Sequence, residues 1–363
     1  MKKIGILTFH NANNYGAMLQ AYALKQALSL NAQHDVDILN YHCPKLQQDY
    51  SLFSSLRLNP VSWCKCLLTL PQKAYTASRF AGFRRRFLRD TPPLFPHTIA
   101  AYAQKYDVLI TGSDQVFHPR ITRQDKNFFL AFNTPREKNF SFAASFGLEL
   151  DNLSEPERLF IRENLAHLSR LSVREEQGAH IVRALTGRPA RVDIDPTFLL
   201  SHAQWQARCE RPSVRNYVLV YLMSQNPQLI TFAQQLAKAQ QCELVYISPR
   251  LTFKNRRRGI RYMTPTVPQW LGLFDNARYV VTNSFHGLSF AINFNKPFFV
   301  GSAAKKVATN SRLENLLALT GLNDRRYTQF SGTYDRPVDW PNVNRKLDQE
   351  RQKAFAYLNE ITK

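Results

Sequence analysis

Short hydrophobic runs alternate with helix-length amphipathic segments along most of the chain, a pattern that predicts an α/β protein. Lys3–Phe9 reads as a buried strand, Ala17–Leu30 as an amphipathic helix and Val36–Tyr41 as the next strand. Such a βαβ unit implies a parallel sheet. Further strands are predicted at Tyr106–Thr111, Asn139–Phe146, Leu171–Val173 and Val192–Asp195, with a helix over Glu155–Leu168. The alternation restarts near residue 200, with strands at Tyr217–Leu222, Glu243–Ser248, Tyr279–Thr282 and Phe298–Val300. Helices are predicted at Pro227–Gln240, Val267–Phe274 and Arg312–Leu319, and a polar one at Asn342–Ile361. Residues 43–100 read as irregular and basic, punctuated by Pro44, Pro60, Pro71 and Pro92-Pro93. Within them Phe80, Phe83 and Phe87 share one helical face, beside Arg79, Arg84, Arg85, Arg86 and Arg89. The whole pattern predicts two Rossmann-like α/β domains, 1–200 and 201–363, facing a cleft, with a C-terminal helix.

A chain of 363 residues with 44% hydrophobic content can bury two cores. Lys and Arg outnumber Asp and Glu by 48 to 27, a formal charge of +21 that calls for an anionic partner: a phosphorylated small molecule, an anionic membrane surface or nucleic acid. The cysteines are odd in number, and Cys64-x-Cys66 fits neither a zinc knuckle nor a redox pair, so reduced thiols in a cytoplasmic protein are expected. The run Ile4–Phe9 is too short for a signal peptide core, and no stretch has the length of a membrane span.

Residues 278–294 carry the most chemical information. A β-branched run, Tyr279–Thr282, ends in Asn283 and Ser284, then Phe285, His286 and Gly287 open a helix-like apolar segment. A histidine at the carboxyl end of a parallel strand stands where ligands bind in open α/β sheets, and its side chain moves protons near neutral pH. The plainer alternative is a histidine that caps the helix or fills a core niche. Asn13, Asn14 and Tyr15 lie between the first strand and helix, a place suited to an anion or a hydroxyl; Asn14 is equally well read as a helix cap. The three-glycine pattern of a dinucleotide site is missing there. Ser113, Asp114 and Gln115 follow a later strand of the same sheet, where Asp114 would bind a sugar hydroxyl or accept its proton, or else cap a turn. Arg174 ends a short strand and offers a planar fork for a carboxylate or phosphate; the alternative is an ion pair with Glu175 or Glu176. Lys305, Lys306 and Arg312 follow the last strand and suit a phosphate or a solvated loop, as does the basic stretch Arg250–Arg261.

In order and spacing, a set of segments resembles the polysaccharide pyruvyl transferase family from Gly5 to about Leu322. They are Gly-Ile-Leu-Thr-Phe-His-Asn-Ala-Asn-Asn-Tyr-Gly-Ala-Met-Leu-Gln-Ala, Asp-Val-Leu-Ile-Thr-Gly-Ser-Asp-Gln-Val-Phe, Phe-Ala-Ala-Ser-Phe-Gly, Leu-Ser-Val-Arg-Glu, Asp-Ile-Asp-Pro-Thr-Phe-Leu-Leu, Ser-Phe-His-Gly-Leu-Ser-Phe-Ala and Ser-Arg-Leu-Glu-Asn-Leu-Leu. The resemblance implies a GT-B-like fold and transfer of a pyruvyl group from phosphoenolpyruvate to two hydroxyls of a sugar, forming a ketal. It implies His286 as the catalytic histidine and Arg174 as donor-binding, with Lys306 near a further basic donor contact. The residue readings add Asp114 to the catalytic candidates, Ser284, Gly287 and Arg312 to donor binding, and Asn13, Asn14, Tyr15, Ser113 and Gln115 to acceptor binding. The N-terminal domain would then be the acceptor side and the C-terminal domain the donor side. One departure stands out. Some members have an arginine two residues before the histidine where this chain has Ser284, so another basic residue must meet the donor's charge.

No metal or cofactor is expected: phosphoenolpyruvate is a substrate, and no cluster has metal-ligand spacing. The expected partners are phosphoenolpyruvate, a glycan or lipid-linked oligosaccharide acceptor and an anionic membrane surface on the inner face of the cytoplasmic membrane, reached through the Phe80/Phe83/Phe87 stripe. A nucleotide-sugar glycosyltransferase is the alternative enzyme. A nucleic-acid-binding module is disfavoured, because no helix-turn-helix, RNP or zinc-finger pattern occurs.

Overall fold

A computed structural model describes the chain outside residues 33, 45, 47–59, 249–256, 302–310 and 330–333, and only the backbone of 31, 32, 60–62 and 64–68. The chain divides into two compact units, one of residues 1–68, 84–200 and 348–363, the other of residues 69–83 and 201–347.

In the first unit, β1 (Lys3–Leu7), β2 (Asp35–Ile38), β3 (Val108–Thr111) and β4 (Asn139–Ser141) form a parallel sheet in the order β2-β1-β3-β4. A two-stranded parallel sheet of β5 (Ser172–Val173) and β6 (Arg191–Val192) follows on through bridges from Phe140 to Arg170 and Ala144 to Val173. The central strands β1 and β3 are buried along almost their whole length, as parallel strands covered on both faces must be, whereas edge strand β2 alternates Asp35 and Asp37 with buried Val36 and Ile38. Helix α1 (Tyr15–Ala32) buries Met18, Leu19, Tyr22, Leu24 and Leu28, and Asn14 caps it by accepting from the Ala17 N–H at 3.2 Å.

Residues 43–100 are not irregular throughout, as the prolines led one to expect. Helix α2 spans Pro60–Phe87. Pro60 occupies its first position, where a missing N–H costs nothing, and Pro71 lies inside it. Arg79 anchors the middle of this helix in the second unit, donating to the Thr264 carbonyl at 3.1 Å and to Gln269 Oε1 at 2.5 Å. Phe80 and Phe83 are 0% and 5% exposed, so they are not available for insertion into a membrane; packing has claimed the face.

The second unit holds a five-stranded parallel sheet in the order β11-β10-β7-β8-β9. Its strands are β7 (Tyr217–Tyr221), β8 (Glu243–Ile247), β9 (Arg261–Met263), β10 (Tyr279–Thr282) and β11 (Phe298–Val300). Between them run α7 (Pro227–Ala239), α8 (Val267–Asp275) and α9 (Phe285–Asn293); α10 (Ser311–Thr320) follows. Short helices α3 (Ile99–Ala103) and α6 (His202–Gln206) and the first-unit helices α4 (Glu155–Leu165) and α5 (Glu176–Thr186) complete the layers with α11 (Trp340–Ile361). The change of unit after Leu200 falls where the alternation restarts, but residues 348–363, the later part of α11 and the two residues after it, group with the first unit rather than the second. The reason is a buried stripe, Ala354, Tyr357, Leu358 and Ile361, together with bonds from Tyr357 Oη to the Ser141 carbonyl and from Arg351 Nε to the Phe198 carbonyl.

The carboxyl ends of β1 and β2 are joined by a buried polar knot. Asn40 Oδ1 lies 3.1 Å from His10 Nε2, 3.0 Å from His42 Nε2 and 3.2 Å from Asn11 Nδ2, while His10 Nδ1 faces the Thr8 carbonyl at 3.1 Å. Burial lowers the His10 imidazole to about 4, against the opposing pull of Asn40 and Thr8. The unfolded imidazole takes up its proton near 6.5 and the folded one only near 4, so between those values the unfolded chain binds more protons. The stabilisation is complete above pH 6.5 and is lost as the pH falls towards 4. Urea unfolding of wild type and His10→Gln across this window should show a slope of stability against pH shallower by up to about one proton in the variant. Equal slopes would mean that His10 charges freely in the fold.

Candidate functional site

In parallel sheets of this kind ligands bind beyond the carboxyl ends of the strands, where the strand order reverses. The second unit reverses between β7 and β10: β8 and β9 lie to one side, β11 to the other. His286 stands at that point, in the first turn of α9 and 8% exposed. Its placement follows from local sequence. The β-branched run ends at Thr282, whose Oγ1 donates to the Tyr221 carbonyl at 2.6 Å and accepts from the Ser284 N–H at 3.0 Å. Ser284 then caps the helix, its Oγ accepting from the Gly287 N–H at 3.2 Å.

Gly287 cannot carry a side chain here: a Cβ would lie 2.3 Å from Thr282 Oγ1 and 3.0 Å from the Tyr221 ring. Ser284 and Gly287 were expected to touch the donor; what their contacts do is seat the helix start so close to the strand end that His286 is fixed beside it. Asn283, which was not singled out as a site residue, ties the two reversing strands together. Its Oδ1 accepts from the Met223 N–H at 2.8 Å and its Nδ2 donates to the Ser224 carbonyl at 2.9 Å. Arg312, 8% exposed in the first turn of α10, has its guanidinium 5.9 Å from the centre of the Phe285 ring, and that ring meets His286 edge-on at 5.2 Å. The structure thus brings His286, Ser284, Gly287 and Arg312 together. Lys306, Lys305 and most of the Arg250–Arg261 loop lie outside the described residues.

In the first unit the order reverses between β1 and β3. Ser113, Asp114 and Gln115 follow β3, with Asp114 at φ 70° and its carboxylate accepting from the Gln115 N–H at 3.0 Å. Arg174 follows β5, but its fork does not face outwards. The side chain is 1% exposed, with Nη1 on Asp195 Oδ2 at 2.7 Å, Nη2 3.7 Å from Asp114 and Nε 4.0 Å from Glu175. Burial opposes the charge, but Asp195, Asp114 and Glu175 more than offset it and hold the guanidinium above its ordinary range.

The carboxylates are themselves fixed. Asp195 accepts from the Thr197 N–H at 3.0 Å, Thr197 Oγ1 at 2.8 Å and Ser113 Oγ at 3.2 Å; Glu175 accepts from Ser145 Oγ and the Phe146 and Gly147 N–H groups. The fork expected to meet the donor is engaged here with three of the protein's own carboxylates. Asp114 is the member with some solvent access, its side chain 14% exposed. Of the remaining acceptor candidates, Asn14 is a helix cap, Tyr15 is buried at 2% exposure, and Asn13 Oδ1 accepts from Arg84 Nη2 at 2.7 Å. Among the described residues no group of three His, Cys, Asp or Glu is arranged to hold a metal, and no helix is long and apolar enough to cross a membrane.

Two α/β units, each a parallel sheet with ligand-type loops at its strand ends, give a GT-B-like fold. The sequence profile of the polysaccharide pyruvyl transferase family matches residues 14–300, and the chain belongs to that family. Among solved structures the fold is similar to an alpha-glucosyltransferase in complex with UDP and a 13-mer DNA, at 9% identity over 100% of both chains and a TM-score of 0.53. A UDP-GlcNAc 2-epimerase from Neisseria meningitidis bound to UDP-GlcNAc is also matched, at 12% identity over 97% of this chain and 100% of that one, with a TM-score of 0.45. A search of curated protein sequences found no match.

Removing one partner of a buried ion pair costs about 3–5 kcal/mol, because the other charge is left uncompensated. Asp195→Ala should therefore lower the denaturant midpoint strongly, whereas Asp114→Ala, at the partly exposed edge, should cost much less. Equal losses, or none for Asp195→Ala, would show that Arg174 does not depend on Asp195.

Proposed function

We propose that the chain transfers the pyruvyl group of phosphoenolpyruvate to two hydroxyls of one sugar in a bacterial surface glycan or its lipid-linked precursor, forming a pyruvate ketal. Family membership supports transfer onto a polysaccharide. The observation that carries the finer reading is His286 in the first turn of α9, at the strand-order reversal of its sheet and next to the Phe285 ring over which Arg312 lies.

Phosphoenolpyruvate presents a carboxylate, a phosphate and a methylene carbon. Arg312 and the N–H groups at the start of α9 suit the anionic groups. The His286 imidazolium gives its proton to the methylene carbon, which becomes the ketal's methyl group, and C2 becomes cation-like. One sugar hydroxyl attacks C2 and its proton returns to the imidazole. The second hydroxyl then attacks C2, the bond from C2 to the phosphate oxygen breaks, and phosphate leaves with the remaining proton. The sum is phosphoenolpyruvate plus a diol giving a ketal plus phosphate, with no redox change. The charge of +21, with Arg85, Arg86 and Arg89 exposed, supports attraction to an anionic membrane surface that carries a lipid-linked acceptor.

General acid catalysis contributes 10²–10⁴-fold, so His286→Gln should reduce acceptor-dependent phosphate release from phosphoenolpyruvate by roughly that factor. Glutamine keeps a hydrogen bond and most of the volume, so donor affinity and the melting temperature should change little. Near-normal turnover with a lowered melting temperature would make His286 a packing residue and remove the catalytic assignment.

A further inference from the structure

The loops after β1 and β2, with the end of α2, enclose a cavity of about 580 Å³ wholly within the first unit. One wall is cationic. Arg84 and Arg89 line it, and no carboxylate does so among the described residues. Among the described residues the Arg84 guanidinium has only neutral oxygens as partners: its Nη2 donates to Asn13 Oδ1 at 2.7 Å and to the Ala12 carbonyl at 3.4 Å, while its Nε is buried with no hydrogen-bond partner among them. Burial, and secondarily Arg89, pushes its pKa down to about 10, the mark of a cation whose charge is uncompensated.

Part of the lining is aromatic. Phe9 and Phe128 meet edge-to-face at 5.2 Å and Tyr41 meets Phe128 at 5.8 Å. An uncompensated, partly buried guanidinium is costly unless an anion arrives, and an aromatic surface suits the apolar face of a sugar ring.

We propose that this cavity binds a glycosyl phosphate: its phosphate between Arg84 and Arg89, its sugar ring against Phe9 and Phe128. The choice of a sugar rests on the pyruvyl-transfer reading, under which it makes the acceptor a phosphate-linked sugar rather than a neutral glycan. The Asn11–Asn13 loop then acts through Arg84, since Asn13 orients the guanidinium instead of touching the sugar.

Calorimetric titration of the full chain tests this with glucose, mannose and N-acetylglucosamine 1-phosphates, the free sugars, inorganic phosphate, phosphoenolpyruvate and UDP as probes. A charge-assisted hydrogen bond is worth about 1.5–3 kcal/mol, which is roughly ten- to a hundredfold in affinity. At least one glycosyl 1-phosphate should bind more tightly than its free sugar or inorganic phosphate, and should weaken tenfold or more in both Arg84→Gln and Arg89→Gln. Arg89 is exposed, so its variant keeps the fold even where Arg84→Gln disturbs the Asn13 loop. No glycosyl phosphate showing that dependence would overturn the proposal, as would UDP or phosphoenolpyruvate showing it in their place. Failure of the pyruvyl-transfer reading has a different signature: no phosphate release from phosphoenolpyruvate, with Arg84-dependent binding of glycosyl phosphate intact.

Discussion

One buried guanidinium sets the geometry of the first unit. Arg174 leaves β5 and takes Asp195, Asp114 and Glu175, which come from the loop after β6, the loop after β3 and the start of α5. Isolated, such a charge could not be buried; paired and hydrogen-bonded, it fixes the relative positions of every loop that supplies a partner. The carboxylates in turn consume the Ser113, Ser145 and Thr197 hydroxyls and the Phe146 and Gly147 N–H groups. Polar groups that looked like ligands for a sugar are thereby largely spent on one another, and Asp114 is left with partial access to solvent.

The second unit is built the opposite way. Among the described residues, the turn after β10 is held by neutral groups. Thr282, Asn283 and Ser284 satisfy the backbone of the β10–α9 turn and the neighbouring loop after β7, and Gly287 permits the close approach. These hydrogen bonds fix the turn that carries His286 beside the strand end, and Arg312 places a positive charge one aromatic ring away. The proposed acid role is favoured by this setting, a fixed imidazole near a guanidinium.

Much of this was readable from the residues. Strands β7, β8, β10 and β11 and helices α7 and α8 follow from hydrophobic runs and amphipathic spacing, because those signals are local. The position of His286 at the strand end follows from the same short segment, whereas Ser284, expected as a donor contact, proves to be the helix cap. Arg174's engagement was not readable, since Asp114 and Asp195 are distant in sequence and only the sheet order brings them to it. Helix α2 was obscured because Pro60 and Pro71 signal breaks, although Pro60 sits at the first helical position and tertiary packing of Phe80 and Phe83 outweighs Pro71. The stripe Ala354–Tyr357–Leu358–Ile361 marks a buried face, but nothing in a local pattern says which unit it buries against. Arg84 reads as one of a run of surface arginines; only the fold turns it into the cavity wall.

The central claim is that carbon protonation opens the transfer of pyruvyl from phosphoenolpyruvate. The most direct measurement is the product formed in D₂O from phosphoenolpyruvate and a panel of phosphate-linked and free glycan acceptors, read by mass spectrometry and proton NMR. Carbon protonation gives an acceptor carrying one pyruvate ketal whose methyl group holds a single solvent-derived deuterium, with one phosphate released per ketal. A methyl group free of deuterium, or untouched phosphoenolpyruvate alongside transfer of a hexosyl group from a nucleotide-sugar, would contradict it.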